Sequence, residues 1–168
     1  MLVKTDYKTL SMNPMTLIGD EWMLVTAGDE TRGWNTMTAS WGHLGYIWQK
    51  PTAICYIRPQ RYTRQFADRE PLYTLSFFPE GYKKQLAYLG SHSGRDGDKF
   101  KAAGLTPVFK DSTVYCAEAE TVYICRKLYA APLQEESFID RELVEFNYPG
   151  CDFHTLYIGE VVKILEKA

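Results

Sequence analysis

The strongest limit on how this chain folds is its punctuation. Apolar, β-branched and aromatic side chains come in short runs, and Gly, Pro or Asp breaks most of them before they reach helical length. Residues 21–27 read as a first strand, closed by the turn signal Gly28-Asp29. Residues 34–41 alternate bulky and polar side chains at period two, so one face of that strand is polar. Residues 52–57 form a more continuously apolar strand after Pro51, and 72–78 another between Pro71 and Pro79. Residues 114–129 are β-rich, as one bent strand or two paired ones, and 154–162 form the last strand.

Helices are short and few. Thr63–Arg69 is one, with Thr63 available as its N-cap and Pro71 just beyond. Residues 81–89 are a second, stopped by Gly90; residues 98–103 a third, stopped by Gly104; residues 138–146 a fourth. Strands and ten-residue helices do not alternate, which disfavours a doubly wound parallel sheet and favours an antiparallel barrel with connecting helices. No repeat, linker or low-complexity tract divides residues 1–168, so the expectation is one domain.

Composition narrows the function classes. Nineteen Lys and Arg against 21 Asp and Glu leave a net charge of −2, without the cationic surplus that duplex nucleic acid requires. No apolar run approaches the ~20 residues that span a bilayer, and the first residues lack a secretory pattern. Cys55, Cys116, Cys125 and Cys151 are far apart, with neither a zinc spacing nor a disulfide framework. The expected compartment is a reducing cytoplasm. The aromatic content, at 14%, is high, and suits half-buried strands, flat ligands and dimer interfaces.

Three polar clusters stand out from this β background. Asn35, Thr36, Met37, Thr38, Ala39, Ser40 and Trp41 place small polar groups on a strand where a flat polar ring could approach the backbone, although an exposed strand face has the same pattern. Arg58, Arg61 and Arg64, with Tyr62 and Thr63, sit at a strand end just before a helix. Free N–H groups and guanidinium forks there suit a phosphate, and a solvated basic turn is the alternative. One unit charge pair at 4 Å is worth about 4 kcal/mol at an effective dielectric near 20, so a phosphate dianion calls for two or more such partners. Ser93, Arg95 and Lys99 belong to a Gly- and Ser-rich loop that either wraps an anion or is plain surface.

Other signatures are missing: no phosphate-binding loop, no dinucleotide fingerprint, no Gly-x-Ser-x-Gly and no His-Glu-x-x-His. His43, His92 and His154 are scattered, so no metal site is expected. His154 draws interest because it opens a strand beside Asp152.

Taken in order, residues 35–41 (Asn-Thr-Met-Thr-Ala-Ser-Trp), 57–63 (Ile-Arg-Pro-Gln-Arg-Tyr-Thr), 93–100 (Ser-Gly-Arg-Asp-Gly-Asp-Lys-Phe) and 154–161 (His-Thr-Leu-Tyr-Ile-Gly-Glu-Val) resemble the flavin reductase-like, or flavoredoxin-like, family across residues 14–162. The resemblance implies a mainly β, antiparallel, Greek-key-like FMN-binding split barrel that works as a homodimer with flavin near the interface. It implies that Arg61 and Thr63 hold the FMN phosphate, with Arg58 and Tyr62 also among the cofactor-binding residues, that 35–41 line the ring and ribityl chain, and that Ser93, Arg95 and Lys99 close over the cofactor. It also places His154 near the flavin's reactive side, although the family's Gly-Asp-His reads Gly150-Cys151-Asp152-Phe153-His154 in this chain. The implied activity is NAD(P)H-dependent flavin reduction or electron transfer through bound FMN. An electron carrier reduced by a partner protein and a non-catalytic flavin-binding module are the alternatives. Chemistry would belong mainly to the flavin, so binding roles and no acid/base dyad are expected.

Overall fold

A computed structural model describes all of residues 1–168. In chain order the strands are β1 (Leu2–Thr5), β2 (Met23–Asp29), β3 (Gly33–Ala39), β4 (Gly42–Ile47), β5 (Lys50–Ile57), β6 (Leu72–Phe77), β7 (Pro107–Lys110), β8 (Thr113–Cys116), β9 (Thr121–Pro132) and β10 (Thr155–Lys167). The helices are α1 (Pro14–Thr16, continued by a π-helical turn at Leu17–Glu21), α2 (Thr63–Arg69), α3 (Lys83–Ser91), α4 (Lys99–Ala102) and α5 (Glu142–Asn147). None is long and apolar enough to cross a membrane.

The main sheet is antiparallel throughout, in the order β3-β2-β6-β9-β10-β5-β4, with β1 also on β10; β7 and β8 form a separate ribbon. β10 is its spine. It pairs with β9 along its length, with β5 through residues 155–160 and with β1 through 164–167. Register shifts beside Gly159 and Val162 bend it between those halves. The path ends at β3 and β4, whose outer edges are unpaired, and only Ser40 and Trp41 cross between them. The sheet is thus curled but not closed.

Packing explains why the central strands are uninterruptedly apolar. Met23, Val25, Tyr73, Leu75, Phe77, Cys125 and Tyr157 fill the concave interior, and Phe66 and Ala67 of α2 pack there too. On the convex side Leu24, Val122 and Ile124 meet Leu86 and Leu89 of α3, Phe100 of α4 and Tyr115 of β8. With both faces covered, β2 and β6 cannot alternate in polarity, as a half-solvated antiparallel strand would.

Several expectations change. The first strand begins at Met23, because residues 17–21 make the π-turn and Trp22 takes φ +71°. It continues through Gly28 to Asp29, whose Oδ1 accepts from the N–H groups of Thr31 and Arg32 in the turn that follows. Residues 114–129 are two strands that do not pair with each other. Between them Glu118 accepts from the Thr106 N–H and the Cys116 S–H, which keeps β8 on β7. Gly90 does not stop α3: the helix runs on to Ser91, and a Cβ at Gly90 would stand 3.3 Å from Thr38 Cβ. Glycine there serves close helix–strand approach. Thr63 is the first residue of α2, not its cap, and its hydroxyl accepts from Asn35. Within 138–146 only the part from Glu142 is helical, after a 3-10 turn at Glu135–Ser137. β4 was not visible in the periodicity, since two glycines dilute it and its turn is Trp48-Gln49. Both turn residues take φ +54°, a conformation usually signalled by Asn or Gly.

Gly159 is the tightest point of the spine. A Cβ there would lie 2.6 Å from Tyr73 Oη and 2.8 Å from Cys125 Cβ, and the tyrosine cannot yield freely because its hydroxyl donates to the carbonyl of Ala53 at 2.8 Å. Gly159→Ala is expected to destabilise the protein by about 1–3 kcal/mol through overpacking, read as a lowered urea midpoint at unchanged slope.

Candidate functional site

The chain leaves β5 at Ile57 and reaches α2 at Thr63 through Arg58-Pro59-Gln60-Arg61-Tyr62. That corner stands against the start of β3 and against the loop that follows α3. The three segments enclose a polar cavity of ≈ 440 Å³ lined by Asn35, Met37, Arg58, Gln60–Thr63, Ser91–Arg95 and Lys99. Asn35 ties two of them together, its Nδ2 donating to Thr63 Oγ1 at 3.0 Å. Gly94 ties in the third: a Cβ there would lie 2.2 Å from Asn35 Oδ1, so only glycine lets the loop come this near.

The cavity is cationic. Arg58 is neutralised by Asp152, and its Nη2 donates to the carbonyl of Asn147 at 2.8 Å. Hydrogen bonds from Gln60 and Arg58 hold the Asp152 carboxyl below its usual range. Arg61, Arg95 and Lys99 form no ion pair at all. Arg61 Nη1 donates to the Gly90 carbonyl at 2.7 Å, and Arg95 lies 4.5 Å over the Tyr62 ring. Lys99 is buried and donates to the carbonyls of Leu89 and His92 at 2.9 and 3.0 Å. Burial, then the charge of Arg61, lowers its pKa to about 8. Three cations held by carbonyls and a ring, with no carboxylate among them, make a cavity whose chemistry suits an anion.

A second, larger cavity of ≈ 680 Å³ is mostly apolar and includes Ser40, Trp41, Gly42, His43, Tyr56 and Tyr148 in its lining. The two cavities adjoin at the end of β3. Met37 lines one and Ser40 the other, three residues or roughly 10 Å apart. Arg58 links them as well, because its guanidinium lies 5.2 Å over the ring of Tyr148. A ligand with an anionic end and a flat ring matches this pair of environments.

The residues picked out in the sequence separate into two groups. Asn35, Met37, Arg58, Arg61, Tyr62, Thr63, Ser93, Arg95 and Lys99 meet at the polar cavity, and Ser40 and Trp41 at the apolar one. Thr36 and Thr38 do not. Period-two alternation turns them to the other face of β3, where the Thr36 hydroxyl pairs with that of Thr26 at 2.8 Å and Thr38 donates to the Leu86 carbonyl under α3. Ala39 is buried in the concave core. The exposed-face reading of 34–41 fails on the same burial. His154 lines neither cavity. It is buried behind Trp41, 4.8 Å between ring centres, with Nδ1 2.9 Å from the Tyr148 hydroxyl. Burial, then the charge of Arg58, lowers its pKa to about 4, and Asp152 engages Arg58 and Gln60 instead. Nothing in the sequence marks Tyr56 or Tyr148, because lone tyrosines carry no spacing signal.

A family model described as flavin reductase like domain matches residues 15–168. Among solved structures, an FMN-binding domain of a flavin reductases-like enzyme from Shewanella baltica is 15% identical, with a TM-score of 0.70 over 99% of this chain and 77% of that one. The flavoredoxin of Desulfovibrio vulgaris is 22% identical, with a TM-score of 0.68 over 98% of this chain and 77% of that one. A Streptomyces globisporus NADH:FAD oxidoreductase, solved with NAD and FAD fragments, is 17% identical, with a TM-score of 0.66 over 88% and 74%. No curated protein matches the chain. These likenesses match the antiparallel split-barrel architecture expected from the sequence.

The burial of His154 has a consequence for stability. The unfolded chain takes up its proton near pH 6.5, whereas the folded one holds the ring neutral down to about pH 4. Folding stability is therefore expected to fall as pH drops through that window, by up to about 3 kcal/mol. Urea melts at pH 7 and pH 4.5 measure the loss, and His154→Gln should remove most of it.

Proposed function

The chain belongs to the flavin reductase-like domain family, and from that premise we propose that it is an FMN-binding oxidoreductase. The observation that carries this reading is the anion site itself: Arg61, Arg95 and Lys99 surround one cavity with no carboxylate to neutralise them. The fit extends past charge, since the neighbouring cavity offers aromatic walls at Trp41, Tyr56 and Tyr148.

In this reading Arg61 and Lys99 hold the phosphate, while Arg95 closes over it from the loop. Asn35 and Ser93 meet the polar chain of the cofactor, with Asn35 oriented by Thr63. Trp41 and Ser40, where the chain crosses the open seam, border the ring. FMN, when bound, supplies reversible two-electron redox chemistry. The protein's part is binding, orientation and exclusion of water; His154 remains neutral and fixes the Trp41 and Tyr148 rings rather than moving a proton. The electron donor is NADH or NADPH, a choice that the NAD bound by the Streptomyces relative supports. The working unit is a homodimer, supported by Tyr46, Ile47 and Trp48, all exposed at the tip of the β4–β5 hairpin. A reducing cytoplasm suits its four free cysteines.

Arg61→Ala is expected to weaken FMN binding by about 2 kcal/mol, roughly thirtyfold, measured by quenching of flavin fluorescence; unchanged affinity would move the phosphate elsewhere. Affinity should also fall as pH rises through about 8, because Lys99 loses its charge there and a bound phosphate would hold the proton on. Lys99→Met should flatten that profile. Under argon, NADH or NADPH should bleach the yellow holoprotein. Bleaching by dithionite alone would leave an electron carrier or a non-catalytic binder.

A further inference from the structure

Outside the two cavities, the most anomalous surface is at α5. Ile139 is 98% exposed and Phe146 86%, and Leu143 beside them is 49% exposed. Their spacing, 139, 143 and 146, puts them on one side of the short helix and the turn leading into it, while Val144 and Tyr148 face inward and are buried. Large apolar side chains are rarely left this open without a partner. The rim is acidic. Residues 134–147 carry five carboxylates and one arginine, and Arg141 is occupied by Glu135. Glu136, Asp140, Glu142 and Glu145 form no ion pair.

We infer that this face docks a basic electron-transfer protein, one whose apolar contact surface is ringed by Lys or Arg. The inference rests on the flavin reading above and adds the site at which electrons leave. Charge selects the occupant: four unpaired carboxylates repel an identical face across a two-fold axis and attract a cationic rim. Continuity with the cofactor site selects the role. Directly after Phe146, the Asn147 carbonyl accepts from Arg58, which lines the polar cavity, and Tyr148 lines the apolar one with Arg58 over its ring. The docking face therefore runs directly into residues that line the cofactor cavities or bond to their lining. With FMN bound and reduced, each encounter would pass one electron to the partner's oxidised one-electron centre, and two encounters would discharge the pair taken from NAD(P)H, one proton leaving to water.

Ferricytochrome c, a basic one-electron protein, serves as the probe. Its binding to the full chain by calorimetry at low salt does not require flavin. The expected result is measurable binding that weakens at least tenfold between 10 and 150 mM salt, an order-of-magnitude expectation for screened charge pairs. Glu142→Gln with Glu145→Gln should weaken it about tenfold, and Leu143→Ser with Phe146→Ser severalfold at either salt. Glu21→Gln with Glu80→Gln, which removes equal charge from the distant cavity these two residues line, should leave it unchanged. With reduced holoprotein, the rate of cytochrome c reduction should follow the binding constants, while ferricyanide reduction stays constant across all variants. Equal binding by wild type and the α5 variants overturns the proposal. So does a wild-type dimer that light scattering shows falling apart in Leu143→Ser with Phe146→Ser, since the face would then be covered by a second copy. Failure of the flavin reading looks different: the protein would bind no FMN, whatever its affinity for the cytochrome.

Discussion

The site depends on how α3 ends. A helix leaves its last carbonyls without internal donors and carries partial negative charge there. Here those carbonyls are taken by cations from elsewhere: Leu89 and His92 by Lys99, and Gly90 by Arg61. Carbonyl partners fix the positions of two positive groups without neutralising them. A carboxylate in the same place would have fixed them equally well and cancelled the charge. The close seat of α3 on β3, made possible by Gly90 against Thr38, puts this helix end over the cavity.

From that arrangement the two cavities acquire opposite characters. The polar one inherits the uncompensated cations. The other, just past the end of β3, is walled by Trp41, Tyr56 and Tyr148, and Arg58 spans the boundary with Asp152 as its counter-ion. His154 looks in sequence like a reactive group. Its environment makes it a neutral packing residue, because a buried imidazole close to arginine does not keep a proton.

Much of this was legible in the residues. The six strand tracts are strands, α2 has the expected bounds, and the three polar clusters do converge. What failed has physical reasons. Thr36 and Thr38 share a strand with Asn35 and Met37, and composition alone does not say which alternate set faces the ligand; packing under α3 decides it. Gly90 in a helix looks like a stop signal unless the neighbouring strand is known. β4 hides behind two glycines and a tight turn built from Trp and Gln in left-handed conformation. The partnerships of Asp152 with Arg58 and of Tyr148 with His154 join distant or unpatterned positions, and no local spacing announces them.

The seam between β3 and β4 has a mechanical meaning. Everywhere else, parting two neighbouring strands of the main sheet breaks a ladder of hydrogen bonds. Between these two edges there is no ladder, only the two-residue crossing at Ser40 and Trp41. Widening the barrel at that point breaks no ladder; what resists it is the packing of Met37, Ala39 and Leu44 against the concave core. Beside the aromatic cavity the circumference is thus held by side chains rather than by backbone hydrogen bonds.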